Sequence, residues 1–218
     1  MLVLAVDTAT PASTAAVAEV TADGMRGIAE RRTVDPRAHG ELLAPEIAAV
    51  LDETGIGPRD LGAIVAGVGP GPFTGLRVGL ATAASMGQTL EIPTYGVCSL
   101  DALGLAAGPG RVLVATDARR REVYWATYAD GHRTRDPDVA RPADVDAGVE
   151  RAVGEGALKY SGVFGVPIDE RLLYPPGAAL ISLAADRIRH GAPSERLTPL
   201  YLRRPDAVVS TTRKPVLR

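Results

Sequence analysis

The sequence predicts an α/β chain made of two related lobes, each of β-β-β-α-β-α order. Three observations carry that expectation. Short apolar runs punctuated by Gly, Pro and Asp read as strands, two longer stretches carry a helical apolar period, and an apolar run ending in Asp recurs half a chain after its first appearance. With 218 residues, 46% of them apolar, the chain is long enough for one large or two small domains with a packed core.

Leu2 to Val6 reads as a buried strand, Ser13 to Val20 as its hairpin partner and Gly27 to Val34 as a third, so a β-meander opens the fold. From His39 to Thr54 the period changes. Leu42, Leu43, Ile47, Val50 and Leu51 fall on one face of an amphipathic helix. Ala63 to Val68 is the next strand; then come a helix from Thr74, its expected N-cap, to near Leu90, a strand from Thr94 to Val97 and a helix from Leu100.

Val112 to Ala118 echoes Leu2 to Thr8, an apolar strand that ends in Asp and then turns, 110 residues further along. A second strand follows in both copies, Ser13 to Val20 in one and Glu122 to Tyr128 in the other. The echo suggests duplication, with lobes over residues 1–108 and 109–204 joined near Gly108-Pro109-Gly110 and a basic tail over 205–218.

The formal charge is −2, so the whole molecule has no electrostatic appetite for nucleic acid or acidic membrane. The distribution is uneven: the last 23 residues carry +5 and leave −7 for the rest. Such a tail suits contact with RNA, and it equally suits a solvated terminus. Cys98 is the only cysteine, which excludes an intramolecular disulfide or a thiolate metal cluster and fits a reducing, cytoplasmic setting. Met1 to Asp7 has no basic segment and reaches an acid after five apolar residues, too short for a signal peptide or a membrane span.

The segment Gly67-Val68-Gly69-Pro70-Gly71-Pro72-Phe73-Thr74-Gly75-Leu76-Arg77 joins a strand to a helix through a Gly/Pro turn. It contains no G-x-x-x-x-G-K-[ST] and no lysine, and Pro70 and Pro72 remove two backbone donors, so it is not a phosphate cradle of that kind. Its expected role is architectural: Gly69 and Gly71 reach conformations closed to other residues, and the prolines stiffen the approach to the helix. Beyond it Gly75, Gly79, Ala83 and Gly87 recur every four residues as a smooth ridge, able to pack on the chain's own sheet or to admit another chain's helix.

That segment resembles the G-x-G-P-G-[SP]-F-T-G-[LV]-R signature of the bacterial TsaB (YeaZ) family. Leu4 to Thr10, Asp117-Ala118-Arg119 with Glu122-Val123-Tyr124, and Pro199-Leu200-Tyr201-Leu202-Arg203 match the family in order and spacing. The resemblance implies an actin-like fold, that of the sugar kinases and heat-shock chaperone ATPases. It implies a scaffold and activator, without catalysis of its own, for a TsaD-like enzyme that transfers threonylcarbamoyl to an adenosine beside the tRNA anticodon. A TsaE-like ATPase, tRNA held indirectly through the complex, and a homodimer when alone are the further implied partners; no cofactor is firmly implied, with ATP or ADP admissible in the assembled complex. The implied partner surface is His39, Leu42, Leu43, Ile47 and Val50 of one helix with Leu76, Gly79, Leu80, Ala83 and Gly87 of the next. Asp7, Thr8 and Asp117 stand where the superfamily handles nucleotide phosphates, although such Asp residues also cap turns. Gly154-Glu155-Gly156 is the nearest candidate for an adenosine loop.

Two other function classes remain to be weighed. A stand-alone ATPase or small-molecule kinase of the same superfamily would use Asp7, Thr8 and Asp117 at a cleft between lobes. A metallopeptidase would need two imidazoles one helical turn apart, and His39 is followed at that spacing by Leu43. His132 beside Gly131 reads as a turn residue and His190 before Gly191 as a helix end. Arg119 to Glu122 reads as a tight turn braced by an Arg/Glu pair, and no nucleophile with an adjacent base is apparent among Ser, Thr and Cys98.

Overall fold

The computed structural model describes residues 1–203, so the tail assigned to 205–218 lies outside the described residues. Strands β1 (Leu2–Asp7), β2 (Ala12–Val20) and β3 (Met25–Val34) form the antiparallel meander, and β4 (Leu61–Gly67) and β5 (Thr94–Val97) join in parallel to give the order β3-β2-β1-β4-β5. β1 lies at the centre with Val3 to Asp7 all buried, which is why its sequence is a continuous apolar run instead of an alternation. Helices α1 (His39–Thr54) and α2 (Phe73–Leu90) cover one face: Leu43, Ile47, Val50, Leu76, Leu80 and Ala83 pack with Leu4, Val6, Ile64 and Ala66.

Helix α3 (Ser99–Ala107) leads to the second sheet, β6 (Arg111–Asp117), β7 (Val123–Ala129), β8 (His132–Ala140) and β9 (Arg151–Val153), in the order β8-β7-β6-β9. The meander and the parallel strand repeat those of the first lobe, as the echo predicts, but the second copy is shorter. A 3-10 turn at Pro142–Asp144 stands where the first lobe has α1. Short helices α4 (Glu155–Lys159) and α5 (Ser161–Phe164) follow β9, and Ile168 adds only an isolated bridge to Ala152. His132 opens β8 and is not a turn residue, because Asp130 and Gly131, at φ 52° and 79°, complete the turn before it.

Helix α6 (Gly177–Arg189) follows the second sheet in the chain but returns to the first. Its apolar stripe of Leu180, Ile181, Ala184 and Ile188 packs on the uncovered face of the first sheet, against Val3, Ala5, Val65 and Tyr95. The first lobe is therefore closed by the end of the chain. A helix pattern reveals an apolar face but not which sheet that face will cover.

Candidate functional site

The site grows from the end of β1. The Asp7 carboxylate accepts the Ser99 hydroxyl at 2.5 Å and the Ala9 N–H at 3.0 Å, and Ser99 Oγ in turn accepts the Gly69 N–H at 3.3 Å. Asp7 is 1% exposed, and burial pushes its carboxyl up to about 6 against the opposing pull of those hydrogen bonds. Thr8 Oγ1 donates to Gly75 O at 2.7 Å and accepts from Gly79 N at 3.0 Å, inserting a side chain between an i, i+4 pair of α2. A Cβ on Gly79 would stand 2.6 Å from that hydroxyl, and one on Gly71 would stand 2.2 Å from Ala9 O. The Gly/Pro segment is thus a set of close approaches between the β1 turn and the start of α2. The helix begins at Phe73 with Pro72 as N-cap and no side-chain cap, one residue before the expected Thr74, because Pro72 O already accepts the Leu76 N–H at 3.0 Å.

Opposite this loop stands the turn after β6. Asp117 accepts Lys159 Nζ at 2.9 Å and the Arg119 N–H at 3.2 Å, and its own N–H donates to both oxygens of Glu155, a carboxyl that burial pushes up to about 7. Arg119, Arg120 and Arg121 follow in succession at φ 64°, 52° and 63°. Three L-residues in the left-handed region cost about 1–2 kcal/mol each, a strain that persists only where surrounding bonds over-determine it. Arg203 supplies them: its guanidinium donates to Ala118 O at 3.0 Å and pairs with Glu122. The pair that braces the turn is therefore Glu122 with Arg203 and not with Arg119. Two residues earlier Tyr201 stacks on Phe73 with centroids 5.3 Å apart and accepts Arg77 Nε at 3.0 Å, so the 199–203 strap ties α2 to the second-lobe turn.

A cavity of about 680 Å³ lies within this frame, with Arg77, Arg119, Arg120 and Arg203 around Phe73, Tyr124 and Tyr201. A smaller one of about 240 Å³, lined by His39, Thr74, Gly75 and Asp117, adjoins it, and Pro72, Phe73 and Arg119 line both. Parts of all four segments that carry the family resemblance meet here, Thr10, Phe73, Arg119 and Tyr201 among them.

Known proteins place this geometry. Residues 26–183 match the family model described as TsaD: tRNA N6-adenosine threonylcarbamoyltransferase. An uncharacterized protein of Mycobacterium leprae is 48% identical over 94% of this chain, which spans only 56% of that protein's length. The tRNA threonylcarbamoyladenosine biosynthesis protein TsaB of Escherichia coli is 30% identical over 93% of this chain and 95% of its own. The chain belongs to the TsaB (YeaZ) family. The structure of YeaZ from Pseudomonas aeruginosa, 29% identical, superposes with a TM-score of 0.77 over 92% of this chain and 99% of its own, in keeping with the actin-like α/β fold.

In this TsaB-family chain the residues expected to hold nucleotide separate into two groups. Asp7 and Thr8 are spent on the chain's own loop, whereas Asp117 lines the smaller cavity. Of the residues expected at a partner surface, Leu43, Ile47, Val50, Leu76, Gly79, Leu80, Ala83 and Gly87 are buried, and Leu42 half-buried, within this chain. The sheet is what this stripe covers, and the ridge closes on Thr8 at Gly79 and on the Thr94 methyl at Gly87. The surfaces these helices leave outward include Ala44, Pro45 and Ala48 on α1 and Ala81, Ala84 and Gln88 on α2, beside polar residues such as Glu41, Glu53 and Ser85.

Sequence reasoning missed one pair. Ser13 Oγ lies 2.9 Å from Nδ1 of His39, 26 residues away, so a hydroxyl does have an imidazole beside it. Ser13 is wholly buried and His39 is 8% exposed, and burial lowers the imidazole pKa, so the pair fixes the start of α1 against β2 rather than presenting a nucleophile. Only its spacing from the end of the meander could have hinted at this contact. Gly154-Glu155-Gly156 likewise serves the chain: Gly156 packs on the Thr116 backbone and Glu155 holds the Asp117 N–H. His190 ends α6 as expected, its Nδ1 2.7 Å from Asp186 O. Among the described residues no three His, Cys, Asp or Glu side chains converge to hold a metal ion, and no helix is long and apolar enough to cross a membrane.

Proposed function

We propose that this chain works in the biosynthesis of threonylcarbamoyladenosine in tRNA, as the TsaB relatives' names state for them, and that it does so as a non-catalytic partner of a TsaD-like enzyme. The observation that carries the non-catalytic part is the commitment of Asp7 and Thr8: the carboxylate and hydroxyl that an actin-like enzyme would turn toward a nucleotide are buried and hydrogen-bonded by Ser99, Ala9, Gly75 and Gly79. Groups closed off in this way are not displayed to a substrate.

The docking surface in this reading is the outward side of α1 and α2. Its small apolar side chains, Ala44, Ala48, Ala81 and Ala84, let another chain's helices approach closely without opening this chain's core. The same surface serves a homodimer when the subunit is alone, and a TsaE-like ATPase joins the pair with ATP or ADP, tRNA being presented to the assembled complex.

The test is a sizing and pull-down experiment that mixes this chain with the TsaD-like protein of its own organism, with and without ATP. A stable complex is expected, lost in Ala48→Arg and Ala84→Arg variants that melt as the parent does. ATP turnover or metal-dependent group transfer by the pure chain, with no association, would replace this reading with a stand-alone enzyme.

A further inference from the structure

The cavity between the lobes combines features that the architecture does not require. Phe73 and Tyr201 stay 50% and 40% exposed at its wall, although each ring is large enough to be worth burying. Arg77 from α2 and Arg119 and Arg120 from the strained turn all line it, and no carboxylate does; of the acidic neighbours, Glu122 is paired with Arg203, and Asp117, in the adjoining cavity, with Lys159. Arg119 also lines the adjoining cavity, where α2 starts without a side-chain cap, so the positive end of an 18-residue helix faces the same space. A three-residue left-handed arginine turn that is held by Arg203, Asp117 and Glu122 keeps these charges on one side of the aromatic wall.

Guanidinium groups beside exposed aromatic faces suit a ligand with a planar apolar part and repeated negative charge. Two adjoining cavities with Arg119 lining both offer successive subsites to a ligand with more than one charged unit. We propose that this cleft is a binding site for single-stranded RNA, with one base against Phe73 and Tyr201 and neighbouring phosphates on Arg119, Arg120 and Arg77. The site rests on the reading above only in that the machinery acts on tRNA; it makes this chain a direct RNA contact and gives a function to the turn after β6. Arg203 is its positioning residue, since it touches the turn backbone and Glu122.

The test measures fluorescence anisotropy of a short labelled single-stranded RNA with the full chain across a salt series. The parent is expected to bind, Phe73→Ala to weaken binding about tenfold with its salt slope kept, and Arg119→Gly to weaken it about tenfold with the slope reduced by about one. Glycine suits a φ of 64°, so Arg119→Gly is expected to melt no lower than the parent, which separates lost contact from lost fold. Unchanged affinity in both variants would place any RNA contact elsewhere, such as the basic tail, and overturn the proposal. Failure of the parent to bind at low salt, or binding of a free nucleoside diphosphate or an acidic peptide in place of the RNA, would overturn it as well. Complex formation with the TsaD-like protein, scored on the same variants, reports on the scaffold role independently.

Discussion

At the end of β1 the chain turns Asp7 inward, under Ser99 and Ala9, and buries the whole turn from Thr8 to Thr10; at the end of β6 it leaves Asp117 beside a cavity and exposes the three residues that follow Ala118. The two strand ends come from one sequence pattern, yet one is used to build the molecule and the other is left open to solvent. What separates them is the neighbour each meets. β1 ends against the Gly67 to Gly79 segment, whose missing side chains draw Asp7 and Thr8 into contact with backbone. β6 ends against Lys159 and Glu155, which ion-pair and cap Asp117 without covering its turn. A repeated motif therefore predicts position, and the surroundings decide role.

That contrast can be broken or sharpened by mutation. The largest effect is expected on the first-lobe side, where Leu43→Asp places an unpaired carboxylate in the core and should cost about 4 kcal/mol or more, read as loss of a cooperative melt. A folded Leu43→Asp subunit that merely loses its partner would instead restore the α1 stripe as an interface. Next comes pH. Burial holds Asp7 protonated up to about pH 6, above its ordinary 3.8, so the unfolded chain releases its proton first and the fold loses stability as pH rises between those values. Asp7→Asn does not titrate, and its stability relative to the parent should grow by about 2–3 kcal/mol from pH 4 to pH 7 in denaturant titrations. A pH-independent difference would mean that burial does not raise the Asp7 carboxyl.

Smaller effects follow. Thr8→Val strands Gly75 O and Gly79 N inside the protein and should cost about 2 kcal/mol by urea unfolding. Thr116, on β6, has a buried hydroxyl without a partner among the described residues, so Thr116→Val should be neutral or slightly stabilising. Equal losses at both threonines would erase the distinction between the strand ends. Smallest of all, Lys159→Ala removes a half-exposed ion pair with Asp117 and should shift stability by less than about 1 kcal/mol.

Much of this fold could be read from the sequence because its signals are local. The His39–Thr54 helix and the Thr94–Val97 strand fall where period and punctuation put them, and the half-length echo locates the second sheet. The motif carrying Gly71, Phe73 and Arg77 also marks the site, since it lines the main cavity. The unread parts all depend on partners distant in sequence: Ser13 with His39, Arg203 with Glu122, α6 with the first sheet. The stripe of α1 and α2 packs on this chain's own sheet. Apolar residues at helical spacing announce burial, but not whether the burying surface belongs to the same chain or to another.

The placement of α6 bears on how the chain comes to be made. Until Gly177 to Arg189 have left the ribosome, Val3, Ala5, Val65 and Tyr95 lack their cover, so the first sheet waits through most of translation with an oily face open. Synthesis halted after residue 108 would release a sticky fragment and not a finished half, and α6 would act as the step that commits the nascent chain to its native form.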